Sequence, residues 1–306
     1  MSQMLVVGSV AFDTLHIRGE SHQKILGGAA VYAALAASHF APVQLVGVVG
    51  RDFPDSAISL LRSHKVDLAG LEVVDGETFH WEGRYADDLA SRETIRTDLN
   101  VFANFSPKIP TGFRNAPYVM LGNIDPLLQM QVLDQIERPK LVIADTMNFW
   151  IDIKRPELVE LLKRVDVLVV NDEEARQLSK VNNLVKAAGV MQDMGPRTVV
   201  IKKGEHGAML FHGEELFCLP ALPLLDVADP TGAGDTFAGA MLGYLAGKDD
   251  ISGPALRNAV VCGSVVASFC VAGVGPSRLA AVTKDDVRER FTRFHRLVNF
   301  QADTLD

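Results

Sequence analysis

The chain predicts an α/β protein built on a doubly wound, mostly parallel sheet flanked by helices, and three observations carry that expectation. Short runs rich in Val, Ile and Leu recur at residues 4–10, 43–49, 118–121, 141–144, 165–170 and 198–201, the pattern of strands buried on both faces. Stretches with apolar residues at helical spacing lie between them. At 306 residues and 48% hydrophobic content, the chain can bury a sizeable core, and we read it as one domain over 1–306.

In order from the N-terminus, residues 4–10 form a central strand, and Asp13 follows where open α/β sheets bind ligands, at a strand's carboxyl end. An ionised carboxylate there suits two hydroxyls, and the bland alternative is a turn residue. Gly27 and Gly28 precede an alanine-rich helix containing Tyr32. Residues 73–101 change character, with polar and aromatic alternation on either side of a polar turn at 86–91, which reads as an antiparallel hairpin inserted into the strand and helix alternation. Asn123 sits at a strand's carboxyl end, in reach of a substrate. Asp145 and Asn148 are assigned to loop structure. Asn171 and Glu174, three apart at a helix start, share one face and suit a capping box. Gly204 and Gly207 form a turn after the strand at 198–201, with Lys202 just before it. Residues 258–277 carry no charge over about the length of a bilayer-spanning helix, but Gly, Ser and Pro interrupt them, so a buried core helix is expected. The closing helix, 284–298, is amphipathic.

Composition excludes some functions. A formal net charge of −8 without a Lys/Arg run argues against a nucleic-acid partner. Cys218, Cys262 and Cys270 have no metal spacing and read as buried free thiols of a cytoplasmic protein, and no membrane partner is expected. No signal peptide is recognisable at the start.

The stretch that organises the rest is DVADPTGAGDTFAGAMLGYLAG, from Asp226 to Gly247. A glycine-rich turn leads into a helix, so the amides of Gly232, Ala233 and Gly234 form an anion site where unpaired N–H groups and the helix dipole coincide. Asp235 beside that anion is a poor choice for structure alone. It is well placed to take a proton from a hydroxyl attacking a phosphoryl group, although a plain helix cap is the simpler reading.

This run resembles the signature of the ribokinase-like carbohydrate kinases, the PfkB family, whose DTTGAGD-type motif ends in the catalytic base. Pro230 replaces a threonine and every other position fits. The resemblance spans nearly the whole chain. It implies a ribokinase-like fold in which the hairpin at 73–101, with about 12–20, forms a small β-sheet lid over the substrate. In several members that lid pairs with a second subunit's, which implies a homodimer. His16, His80 and Arg96 then become candidates to face substrate, the alternative being solvated positions on a hairpin face.

By the same resemblance, Asp13, Gly27 and Gly28 bind the acceptor. Tyr32 stands where members acting on simple sugars have Asn, so a ligand with a ring to stack is favoured. Asn171 and Glu174 match the Asn-x-x-Glu motif that orders magnesium through water. Lys202, Gly204, Gly207, Asn258 and Cys262 fall in the ATP site, and Asp229, Thr231, Gly273 and Ser277 are spaced as in members that bind a monovalent cation such as potassium. The activity implied is ATP-dependent phosphorylation of a hydroxyl on a small sugar-like acceptor, with a nucleoside or cyclitol as the alternative. P-loop and protein-kinase motifs are absent. A rival of another class binds a metabolite or nucleotide as a sensor without turnover, against which the intact Asp235 weighs. A dinucleotide-dependent oxidoreductase fails for want of GxGxxG after the first strand.

Overall fold

The computed structural model describes residues 2–89 and 91–299; Met1, Ala90 and residues 300–306, which fall within the expected 1–306 domain and 86–91 turn, lie outside the described residues. The apolar runs become strands of one large sheet: β1 (Met4–Val7), then β4 (Val43–Gly50), β5 (Val66–Val74), β8 (Tyr118–Leu121), β9 (Leu141–Asp145), β10 (Val167–Asn171), β11 (Thr198–Lys202), β12 (Ala208–His212) and β13 (Glu215–Leu219). Their order is β13-β12-β11-β10-β9-β8-β1-β4-β5. All neighbours are parallel except β11–β12 and β12–β13, which are antiparallel.

Alternation along the parallel strands sends residues to two cores. Met4, Val6, Met120, Ile143, Val169 and Val200 face one side, and Leu5, Val7, Val119, Leu121, Val142 and Val170 the other. The first side is covered by α1 (Ala29–Ser38), α2 (Asp55–Ser63), α8 (Ala233–Lys248), α9 (Gly253–Cys270), α10 (Ser277–Ala281) and α11 (Lys284–Val298). The second is covered by α3 (Pro126–Leu133), α4 (Asn148–Ile153), α5 (Arg155–Leu162), α6 (Asp172–Ser179) and α7 (Leu184–Gln192). Helix α9 is long and apolar enough to cross a bilayer, yet most of it is buried inside the protein.

Chain order reverses between β1 and β8, so the crevice of a doubly wound sheet opens at their carboxyl ends. Over that end lies a second sheet, ordered β3-β2-β6-β7, from β2 (Ala11–Ile17), β3 (Glu20–Gly27), β6 (Phe79–Tyr85) and β7 (Arg92–Asp98). The expected hairpin is β6–β7. Three details differ from the sequence reading. Val73 and Val74 pair with Val49 and Gly50 in the large sheet, residues 20–27 supply a further strand of the small one, and Asp13 lies within a strand of its own, β2, rather than just after the first strand. Of the cysteines, Cys262 and Cys270 are buried as expected, but Cys218 is exposed because it lies on the outermost strand of the large sheet.

Candidate active site

The signature turn begins α8 at Gly232, which has φ 72°. A side chain there would collide with the ring of Tyr32, and its left-handed backbone independently favours glycine. The N–H of Ala233 turns back onto the Pro230 carbonyl at 3.2 Å, so the amides of Gly232 and Gly234 are the ones left for an anion. Tyr32 is 1% exposed. Its ring supports the turn from below, which overturns the expectation that it stacks on a ligand.

Asp235 opens the first turn of α8. Burial, then the charge of Asp145, push its carboxyl up to about 7 against the pull of Lys202 and Arg92. A carboxylate poised there takes a proton near neutral pH.

Asp13, 5% exposed, lays its carboxylate against Gly27, where any side chain would collide with it. Gly28 follows as the residue that starts α1. Burial, then Asp229 and Asp235, raise Asp13 to about 7. Asn123 follows β8, and its buried Oδ1 accepts no hydrogen bond among the described residues.

Asn171 and Glu174 form the capping box, with Asn171 N–H donating to Glu174 Oε2 at 2.7 Å and Glu174 N–H to Asn171 Oδ1 at 2.8 Å. Glu174 is 6% exposed and is raised to about 7, by burial first, with Lys202 opposing and Asp145 adding. Lys202, although burial alone would lower it, is raised overall by Asp145, Glu174 and Asp235. Its Nζ lies 3.6 Å from Asp145 Oδ1. Asp145 thus belongs to the site and not merely to a loop, whereas Asn148 bonds Gln177 on α6.

Asp229, 1% exposed, ties the signature turn to the loop before α10, accepting from Thr231 N–H at 2.8 Å and Gly275 N–H at 2.9 Å. Gly273 lies in that loop, while the Ser277 hydroxyl donates to the Val274 carbonyl. Gly204 and Gly207 bracket a short 3-10 turn between β11 and β12. Asn258 and Cys262 do not form the expected wall beside it. Asn258 is exposed and bonded to Tyr244, and Cys262 is buried, its thiol pushed to about 12 by burial. The half-exposed face of α9 carries Val261 and Ser264 instead.

On the small sheet, Asp13 is the register partner of Trp81, and Leu15 of Gly83. Leu15, Ile17, Tyr85, Ile25 and Trp81 cluster with Val274, so this face looks onto the signature turn. Thr14, His16, His80 and Glu82 lie on the opposite face, where His16 Nε2 is 2.8 Å from Glu82 Oε1 and the Thr14 hydroxyl 2.9 Å from His80 Nε2. Arg96 pairs across the strands with Glu82 and is exposed there, bonded to Asp98 at 2.7 Å. It therefore lies on the face opposite Asp13 and Trp81, and so do His16 and His80. A bulge between Glu82 and Gly83 shifts the pairing of β7, so that Arg92, opposite Tyr85, takes the site face. The Arg92 guanidinium lies 5.6 Å from the Trp81 ring centre. Its charge also draws down Tyr85, Asp13, Glu174 and Asp235. Sequence spacing alone misses Arg92, because strict alternation gives it no precedence over Arg96.

Comparison with known proteins agrees with this geometry. The chain is 30% identical over 254 residues to the cytidine kinase of Thermococcus kodakarensis, covering 81% of this chain and 90% of that one. It is 23% identical over 313 residues to a nucleoside kinase of Methanocaldococcus jannaschii, covering 97% and 99%. The crystal structure of aminoimidazole riboside kinase from Salmonella enterica, solved with aminoimidazole riboside and an ATP analogue, superposes with TM-score 0.76 at 20% identity, over 95% of this chain and 100% of that one. The model of the pfkB family carbohydrate kinases matches residues 3–281. Signature turn and near-complete coverage agree, and the chain belongs to the pfkB family, as a sugar or nucleoside kinase that phosphorylates a hydroxyl.

Proposed function

We propose that the chain transfers the γ-phosphoryl group of ATP to a hydroxyl of a nucleoside. The observation that carries the acceptor is Trp81 on the site face of the small sheet, the direct neighbour of the buried Asp13. Asp13 and Asn123 take sugar hydroxyls, and an aromatic wall beside them suits a base. The cytidine kinase similarity supports the same choice.

The amides of Gly232 and Gly234 hold the phosphoryl oxygens, and Asp235 accepts the proton of the attacking hydroxyl. Gly204 and Gly207, with Val261 and Ser264 across from them, border the nucleotide. Magnesium fits the charge of the crevice, where the carboxyls of Asp145, Glu174, Asp235 and Asp13 outnumber the cations Lys202 and Arg92, although no three of them form a ready ligand cluster among the described residues. Asn171 and Glu174 would hold the ion through water, and its charge would neutralise the phosphates. A monovalent cation belongs to the same reading through Asp229, which joins the signature turn to the Gly273–Ser277 loop.

The small sheet acts as the lid, excluding water that would compete as acceptor. A homodimer through the lid would meet face to face, since edge strand β7 is rich in Arg, Glu and Asp and defended against strand addition; sedimentation at several concentrations measures it.

The deciding experiment is an ADP-release screen of nucleosides, sugars and cyclitols with ATP and magnesium, using Asp235→Asn protein as blank. Turnover confined to nucleosides supports the proposal. Turnover of free sugars or cyclitols with none on nucleosides refutes the acceptor while leaving the kinase intact.

A further inference from the structure

Lys202 ends β11 and Asp145 ends β9, with β10 between them. Their side chains meet at the carboxyl ends of the strands, 3.6 Å apart, with only 16% and 8% of their surfaces exposed. The same ammonium stands 2.8 Å from the place a Cβ on Gly234 would occupy, so it rests against the backbone of the signature turn. Asp145 is its ion-pair partner, and the charges of Glu174 and Asp235 also favour the ammonium.

We propose that Asp145 is a positioning residue that holds the Lys202 ammonium against the Gly234 turn, as a fixed cation for the transferred phosphoryl group, and keeps it off the base Asp235. The inference rests on the kinase reading of the signature turn. A buried ammonium among several carboxylates pairs with whichever is best placed, because an unpaired charge at low dielectric is costly. With Asp145 gone, Asp235 is one of the two anions left to Lys202. Drawn toward either of them, the ammonium leaves the Gly234 turn, and the phosphoryl group loses an aligned cation. Asp145 thus acts on the reaction through Lys202, without touching the substrate.

A double-mutant cycle tests this. Asp145→Asn is expected to lower kcat on the order of tenfold, the scale of one hydrogen bond to a charged group, with the acceptor KM unmoved. In a Lys202→Met background the same change is expected to cost less than about twofold, because the group it acts through is gone. An equal loss in both backgrounds, or no loss in the wild type, overturns the proposal. If Asp145→Asn alone does not fold, Lys202→Met is compared with the double variant, in which the buried pair is removed together. Equal kcat supports the proposal and a further loss overturns it. The same cycle read as affinity for a non-hydrolysable ATP analogue by calorimetry needs no acceptor, so it decides the role of Asp145 even where the nucleoside assignment fails.

Discussion

The hydroxyl of Tyr85 lies 2.9 Å from that of Thr231, joining the small sheet to the turn that starts α8. Both residues are buried, at 7% and 8% exposure. The small sheet, proposed to cover the acceptor, therefore touches the turn proposed to hold the phosphate. Tyr85→Phe keeps the ring in its apolar cluster and removes only this link. It is expected to raise the acceptor KM by about three- to tenfold, the scale of one hydrogen bond, with ATP affinity less affected. Steady-state kinetics with each substrate varied in turn checks it; an unchanged acceptor KM would mean that closure does not use this bond.

Asp235→Asn preserves shape and removes the base. We expect kcat to fall by about 10²-fold or more with binding of an ATP analogue retained. Near-normal turnover would remove Asp235 from its catalytic role.

The two arginines of β7 give a paired prediction. Arg92→Ala is expected to weaken acceptor use by about tenfold in kcat/KM, the loss of a charge-assisted contact. Arg96→Ala, on the far face, is expected to stay within about twofold, as for an exposed ion pair. The reverse ranking would contradict the strand register.

That pair also shows where sequence reading stops. The parallel strands are legible because each is buried on both faces and so reads as an uninterrupted apolar run, and the signature turn is legible because anion site and base are contiguous. The face of Arg92 is not, since one bulged residue inverts the parity of the rest of its strand. The pairing of Asp145 with Lys202 joins residues on strands separated by a third. The role of Tyr32 was misread because a broad ring near a site looks the same in sequence whether it faces ligand or supports a turn from below. Strands β2 and β3 carry polar residues on their outer face, which hides them from an apolar-run search.

Acidity gives a further test. Asp13, Glu174 and Asp235 are all raised to about 7, chiefly by burial. In the unfolded chain these carboxyls ionise near 4, so between pH 4 and 7 the folded state holds more protons and stability falls as pH rises through that window. Buried His39, lowered to about 4 by burial and then by His64 and Lys284, opposes this below its ordinary value of 6.5. Three carboxyls outweigh one imidazole. The ligand-free protein should therefore melt higher at pH 6 than at pH 8, and a scan across that range measures it. Activity should run the other way, with kcat/KM falling as pH drops below about 7 and the base takes up its proton.

Glu174→Gln separates the two roles of that side chain. Its Oε2 accepts the Asn171 N–H at 2.7 Å, a bond that a glutamine carbonyl can also accept, so α6 keeps its cap and the protein its fold. The negative charge is lost, and with it part of the attraction for a hydrated divalent ion beside the phosphates. Half-maximal activity is expected to require several-fold more magnesium, while kcat at saturating magnesium falls less. An activity titration in magnesium at fixed ATP measures the shift. An unchanged midpoint with an unchanged melting temperature would confine Glu174 to the cap and leave the divalent ion to other donors in the crevice.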